Sequence, residues 1–325
     1  MVYDPLGGGQ VHIDQVLTNI SLAYPNNGLV GNVLFPEVRV AKQSDLYYEF
    51  GREGWLPEDD VRAPGSRTVE IPGLTVSTNP YFCKEYALQI PVTDEERENA
   101  DRPLDPDRDG TELVTSKILL KREQRMQILA TTAANYHTAH SVTLAGATQW
   151  SAYTTSTPIA DLKTGLRKVH SALFMEPNLA VIPYQVMSVM EDHPDFIERI
   201  KYSQPGVITA DIIASVVGLQ NTIVPGVGFD NTGNPGGTPV LAYLWGKDVV
   251  LAWVPPRAGL KTPAFAYEFV WRYPGGQSQV AERWRSNERK SDLVRVSRRY
   301  DLKFIANDDT TGLSNAGYLI KAAVA

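Results

Sequence analysis

Lys84-Glu-Tyr-Ala-Leu-Gln-Ile-Pro-Val-Thr-Asp-Glu-Glu96 joins two unlike halves of this sequence. It runs out of an extended region and toward a long helix. Upstream, Tyr47-Tyr48-Glu49-Phe50 reads as a strand, and Thr68-Val69-Glu70-Ile71 alternates polar and apolar residues as a half-exposed strand does. Between them, positions 51 to 67 are charged and carry breakers such as Pro57, Pro64 and Gly65. The pattern predicts a long two-stranded ribbon with a solvent-facing tip. Two strands alone bury too little surface to be stable in water, so the ribbon needs a partner surface, elsewhere in this chain or, the better reading, on another copy. Charges of both signs at the tip suit a polar docking contact with another copy of the chain. Arg52, Glu53, Trp55, Glu58, Asp59, Asp60, Arg62 and Arg67 are therefore the candidate interface residues.

Downstream, residues 94 to 109 are acidic, with eight carboxylates against Arg97, Arg102 and Arg108. A helix is predicted over about 111 to 136, with Val114, Ile118, Met126, Leu129 and Ala133 on one side and Lys117, Lys121, Gln124 and Thr131 opposite. At ~1.5 Å per residue it spans ~39 Å, a length suited to the scaffold of a flat or elongated domain. Arg122 and Arg125 blur the apolar stripe. Before the ribbon, the first forty residues lack helical period and are punctuated by Gly7-Gly8-Gly9, Pro25-Asn26-Asn27-Gly28 and Pro36. They read as an arm that lies along something else.

The centre is α+β. Asp161 is placed to cap a helix carrying Leu162, Leu166, Val169 and Leu173. Leu179-Ala180-Val181-Ile182 reads as a buried strand. Pro183 opens a helix with Val186, Met187, Val189 and Met190, and Ala210 to Val217 is another short helix. A strand at 222–224 leads into a glycine-rich loop, followed by strands at 239–244, 248–254 and 265–271. The last long strand, 293 to 305, alternates: Val294, Val296, Tyr300, Leu302 and Phe304 share a side, interrupted by Arg298. Ala316 to Ile320 closes the chain.

Composition excludes several classes. At 325 residues the chain is about two domains long, and 43% apolar with 21% charged residues is ordinary for a globular protein. No apolar run approaches the ~18 residues of a membrane span, and no secretory signal is visible at the N-terminus. A single cysteine, Cys83, excludes an intramolecular disulfide framework and a cysteine-based zinc site. A net charge of −6 argues against a globally basic nucleic-acid binder.

The motifs that could carry chemistry are incomplete. Asp105, Asp107, Asp109 and Gly110 open like a calcium loop, but Glu112 and Ser116 stand where an aliphatic and the bidentate glutamate belong. A helix N-terminus with acids complementing its dipole is the simpler reading. His137 and His140 lack a third ligand nearby. No phosphate-binding loop and no G-x-S-x-G elbow occurs. No cofactor, metal or enzymatic activity is expected. Residues 282 to 299 hold seven cations against Glu282, Glu288 and Asp292, a candidate phosphate-contacting patch. Pairing of these arginines with acidic surfaces of neighbouring subunits is the better reading, which adds Trp284 and Arg285 to the candidate interface residues.

Three stretches together resemble the major capsid protein of tailed bacteriophages. They are Lys84 to Glu96; Asn178-Leu-Ala-Val-Ile-Pro-Tyr-Gln-Val-Met187 with Glu191 to Tyr202; and Arg299-Tyr-Asp-Leu-Lys-Phe-Ile305 with Ala316 to Ile320. The order of arm, ribbon, long helix, α+β domain and closing strand covers nearly the whole chain. The resemblance implies an α+β tailed-phage capsid fold with an N-terminal arm (1–43), an extended β-hairpin loop (44–85), and a peripheral domain with the long spine helix (86–177). An axial domain (178–290) and a return to the peripheral domain (291–325) complete it.

It also implies self-assembly as hexamers and pentamers into an icosahedral virion head, put together in the host cytoplasm around double-stranded DNA. Portal and scaffolding proteins, and optionally a decoration protein, are the implied partners, with weak non-specific contact to packaged DNA and no membrane partner. The sequence starts almost directly with the arm, which implies a separate scaffolding protein or a trimmed chain. Some members crosslink through a lysine in the extended loop; here no lysine lies between Lys42 and Lys84, so that bond is not expected. Competing readings are an encapsulin-like compartment shell of the same fold, an acidic-site hydrolase, and a DNA-binding protein using the 282–299 patch.

Overall fold

The computed structural model describes residues 12–13, 28–48, 60–62, 64–65, 67–68, 70, 76–100, 105–201, 208–230, 240–260, 262–306 and 313–325. Its backbone is organised around the strand Ser291–Phe304, fourteen residues long and the centre of a six-stranded sheet. Gln279–Ser286, Lys84–Thr93 and Ala266–Trp271 all pair with it antiparallel. Glu37–Val40 adds in parallel to Ala266–Trp271, and His12–Ile13 of the arm pairs with Glu282 and Arg283. The strand Gln279–Ser286 overlaps the start of the charged run at 282–299; its apolar residues are few, and sheet pairing rather than hydrophobic alternation makes it a strand.

The spine helix runs from Pro106 to Thr131, five residues earlier at both ends than expected. Asp105 caps it, accepting from the N–H groups of Asp107 and Arg108 at 3.2 and 3.3 Å, and Pro106 occupies the first turn, where a missing N–H costs nothing. The acidic run at 105–110 is thus a helix start. Val114 and Ile118 face Val92, Ala281, Val294 and Val296 of the sheet. Farther along, Met126 and Ala130 enter a second cluster with Leu34, Phe35, Tyr136, Leu173, Trp245, Phe265 and Leu319.

A second, five-stranded sheet is ordered 141–143, 317–321, 249–252, 179–181, 221–223. Its other face is covered by helices Pro158–Leu173, Tyr184–Glu191, Pro194–Ile200 and Ala210–Val217 through Leu162, Val169, Val186, Met190, Phe196 and Ile213. The first of these helices opens at Pro158, and Asp161, read as its cap, instead accepts from the Trp150 indole N–H at 2.9 Å. The two sheets cut across the sequence boundaries at 178 and 290. Strands 266–271 and 279–286 pair with residues after 290, while the closing strand Gly317–Lys321 pairs with Val249–Ala252.

The root of the ribbon is a strand pair, with its second strand at 76–82, and Glu49, Phe50, Val69 and Ile71 lie outside the described residues. Ser44–Tyr48 pairs with Val76–Phe82, and Thr68 and Glu70 lie outside any strand. The reason is an anchor at the root. Tyr47 and Tyr81 both pack on Phe269 of the large sheet, with ring centroids 5.7 and 4.9 Å away. That aromatic burial fixes the second strand at 76–82.

Candidate functional site

The candidate interface residues fall into two groups. Arg52, Glu53, Trp55, Glu58 and Asp59 lie outside the described residues. Asp60, Arg62 and Arg67 are exposed, beyond the root that Tyr47 and Tyr81 hold. Trp284 and Arg285 sit elsewhere, on the large sheet. Trp284 is half-buried with the Arg295 guanidinium 5.0 Å above its ring. Arg285 clasps Asp94 with two hydrogen bonds of 2.5 Å.

Five arginines of the run, Arg283, Arg285, Arg295, Arg298 and Arg299, pair with acids of their own chain, where sequence reasoning expected acids of neighbouring subunits. Arg283 bonds Asp292 at 2.6 Å and lies 3.4 Å from Asp107. Arg97 bonds Asp107 at 2.6 Å and Asp292 at 2.8 Å. Asp94, Arg97 and Asp107 are thereby fastened to Arg283, Arg285 and Asp292 on the two strands that flank the hairpin turn. The Asp292 carboxyl is lifted by its partial burial but lowered more by Arg283 and Arg97, and ends below the usual carboxylate range. Arg299 lies over Trp271 and Tyr273 and bonds Glu85 at 3.1 Å. These five guanidiniums are engaged within the chain rather than free to contact phosphate.

Sequence reasoning missed the cluster beneath them. Arg122 of the spine helix and Glu268 of strand Ala266–Trp271 are both buried and form a bidentate pair, with Nε to Oε1 at 2.7 Å. Arg298 of the central strand reaches the same carboxylate at 3.2 and 3.3 Å, and bonds Glu37 at 3.0 Å. Glu37 also accepts from Ser278 at 2.7 Å and Arg39 at 2.9 Å. Burial alone would raise the Glu268 carboxyl, but Arg122 and Arg298 outweigh it and hold it below its ordinary value. Two guanidiniums and two carboxylates so join arm strand, spine helix and sheet. The neighbouring Glu123, fully buried, accepts from the Val30 and Gly31 N–H groups at 3.1 and 2.9 Å and from the Trp245 indole at 2.9 Å. It pins the start of the short arm helix Gly31–Leu34 to the spine helix.

One constellation looks catalytic. Ser156 Oγ lies 3.0 Å from His193 Nε2, both buried. However, His193 Nδ1 accepts from the Asp195 N–H at 3.1 Å, capping the helix Pro194–Ile200. In the neutral ring the proton then sits on Nε2 and is donated to Ser156, whose own hydroxyl donates to the Ala152 carbonyl at 2.8 Å. A general base needs the opposite tautomer. His137 and His140 direct Nδ1 to the Ala139 N–H and the Gly317 carbonyl. Among the described residues no group of three His, Cys, Asp or Glu side chains could hold a metal, and no helix is long and apolar enough to cross a membrane. Cys83 is buried with Sγ 3.4 Å from the Phe269 carbonyl, and burial pushes its thiol up to about 12.

No family model matches the chain. Two curated relatives are the major capsid proteins of Burkholderia phage BcepMu and Pseudomonas phage JBD67. The first is 26% identical over 247 residues, 76% of this chain and 78% of the relative. The second is 25% identical over 237 residues, 72% and 74% of the two chains. A crystal structure of a phage-related protein from Bordetella bronchiseptica superposes with a TM-score of 0.75 at 25% identity, covering 96% of this chain and 98% of that one. The capsid of cyanophage P-SCSP1u matches with a TM-score of 0.59 at 9% identity, over 90% and 88%.

This chain has the fold of a phage major capsid protein. The buried charges Arg122, Glu268 and Arg298 and the half-buried Glu37 sit where arm, helix and sheet cross, and the Arg97–Asp107–Arg283–Asp292 group ties the start of the spine helix to the sheet.

Proposed function

We propose that the chain is the major capsid protein of a tailed phage, a structural subunit of the virion shell that assembles as hexamers and pentamers around double-stranded DNA. The observation that carries this reading is the correspondence of fold along nearly the full length, together with relatives whose named role is the capsid. The chemistry fits a structural part. The charged groups are spent on joining elements to one another, and the Ser156–His193 pair is held in a capping tautomer.

In this reading the large sheet and spine helix form the peripheral body of the subunit, and the five-stranded sheet with its helices forms the axial body. The ribbon tip, with Asp60, Arg62 and Arg67 exposed, reaches a neighbouring subunit. Portal and scaffolding proteins and the packaged DNA are the further partners. A compartment shell would have the same backbone, so particle contents separate the two: nuclease-protected DNA supports the phage head, and a protein cargo without DNA contradicts it. The direct test is electron microscopy of concentrated protein, in which regular shells, capsomers or tubes are expected.

A further inference from the structure

The helix Pro158–Leu173 ends at Phe174, whose backbone is in the left-handed region at φ 54°. Glycine is the usual residue there, because a side chain crowds the backbone in that conformation. This chain instead places a phenylalanine at the position and leaves it 63% exposed, its ring edge-on to His170 with centroids 6.4 Å apart. Such strain clusters at sites that bind or switch. A groove runs back from this point along the same helix. It consists of two adjoining hollows, of about 630 and 280 Å³, that share Leu166, Arg167 and Val217. From Ile159 to His170 the helix lines them over ~17 Å, about three turns.

Ile159, Leu166 and Val217 give the groove an apolar floor, and Lys163, Arg167 and Arg199 stand along it. Among the described residues none of these three cations pairs with a carboxylate. Arg167 donates to the Lys163 carbonyl and the Thr164 hydroxyl of its own helix, both at 3.2 Å. Two carboxylates line the groove. Asp195, two residues past the His193–Ser156 contact, lies at one end, and Glu176, past the helix C-terminus, lies at the other.

We infer that this groove binds a short acidic, amphipathic segment of a second protein, with an apolar side chain seated on Leu166 and Val217 and carboxylates on Lys163, Arg167 and Arg199. Charge and shape choose this occupant. Three cations over an apolar floor match carboxylates spaced around an apolar anchor, the pattern of an amphipathic segment laid in a groove. Phe174 at the rim is the kind of side chain on which interface energy concentrates. A nucleic acid meets only half of this: its phosphates suit the cations, but Asp195 and Glu176 repel them and the apolar floor gains nothing. The chain's own acidic run is already taken, since Arg285 and Arg97 hold Asp94 and Asp107. The groove lies on the helices that cover the five-stranded sheet, not on the ribbon or the large sheet, and the inference stands apart from the capsid reading.

The test is selection of a displayed library of random twelve-residue peptides on the full-length chain in solution, followed by fluorescence polarisation with the selected peptides. The selected sequences are expected to carry two or more carboxylates beside leucine, isoleucine or phenylalanine, and to bind with Kd ~10–100 μM. Lys163→Glu and Arg167→Glu each weaken binding about tenfold and keep the melting temperature. Phe174→Gly keeps or raises the melting temperature, because glycine suits the left-handed backbone, and also weakens binding about tenfold. A library that yields no enriched sequence, or sequences with no excess of acidic residues, overturns the inference. So do selected peptides that bind all three variants as tightly as the unaltered chain. A fluorescein-labelled twelve-nucleotide DNA that binds more tightly than the peptides, and is lost in the same variants, overturns the assignment to a protein segment. Selected sequences that match a stretch of this chain overturn the assignment to a second protein.

Discussion

Glu268 has no exposed surface and faces two guanidiniums, so the stability of the subunit turns on a single carboxylate. Glu268→Gln leaves Arg122 and Arg298 buried with no full counter-charge there, and a loss of about 3–5 kcal/mol in denaturant unfolding is expected. The pH dependence follows in sign. The folded carboxyl titrates below its unfolded value, ~4.3, so its contribution is complete above that pH and is lost as pH falls through the folded value. Melting temperature is predicted to decline as pH falls below about 4, and less steeply in Glu268→Gln. Gly31 carries a related constraint: an added Cβ would overlap Met126 Sδ and Glu123 Oε2. Gly31→Ala is expected to cost about 1–3 kcal/mol and to make residues 28–40 the first site of limited proteolysis. The sequence holds half of this cluster in view. Arg122 blurs an apolar stripe on the helix and Arg298 interrupts one on the central strand, and each looks like a separate flaw. Their common partner was not legible, because Glu268 reaches both only through the tertiary register of strand and helix.

At the scale of elements, long periodic segments were readable and anchors were not. The existence of the spine helix, the short helix at 210–217 and the alternation of the central strand follow from spacing, while the cap that sets the spine helix five residues earlier does not. The ribbon was legible as a ribbon, but its pairing was not, since Tyr47 and Tyr81 are fixed by a ring 188 positions beyond Tyr81 in sequence. Phe269→Ala is therefore expected to cost ~3–5 kcal/mol, measured by thermal or denaturant unfolding, and to raise proteolysis at the ribbon root. Cys83, just past that root, is predicted not to react with a thiol reagent in the native protein at pH 8 and to react fully once unfolded, because the thiolate is disfavoured by burial. The extended loop has no lysine between Lys42 and Lys84, so denatured particles should give no covalent ladder joined through residues 43–83 in mass spectrometry.

At the scale of the whole molecule, the order of parts along the chain carried the family resemblance, while the assignment of segments to layers came only from the sheets. The closing strand Gly317–Lys321 lies beside Val249–Ala252, and strands 266–286 lie beside the central strand, pairings between segments far apart in sequence that local pattern cannot disclose. Among the described residues the subunit exposes Asp60, Arg62 and Arg67 of the loop beyond the ribbon root, a feature that a solitary protein would have to cover. The central claim is that copies of this chain cover them. Negative-stain electron microscopy of the purified protein across a concentration series, with size-exclusion chromatography alongside, tests that claim most directly. The account predicts uniform closed shells, capsomers or tubes with a regular lattice of capsomers; a monodisperse monomer at every concentration, with no ordered particles even in the presence of its scaffolding protein, would contradict it.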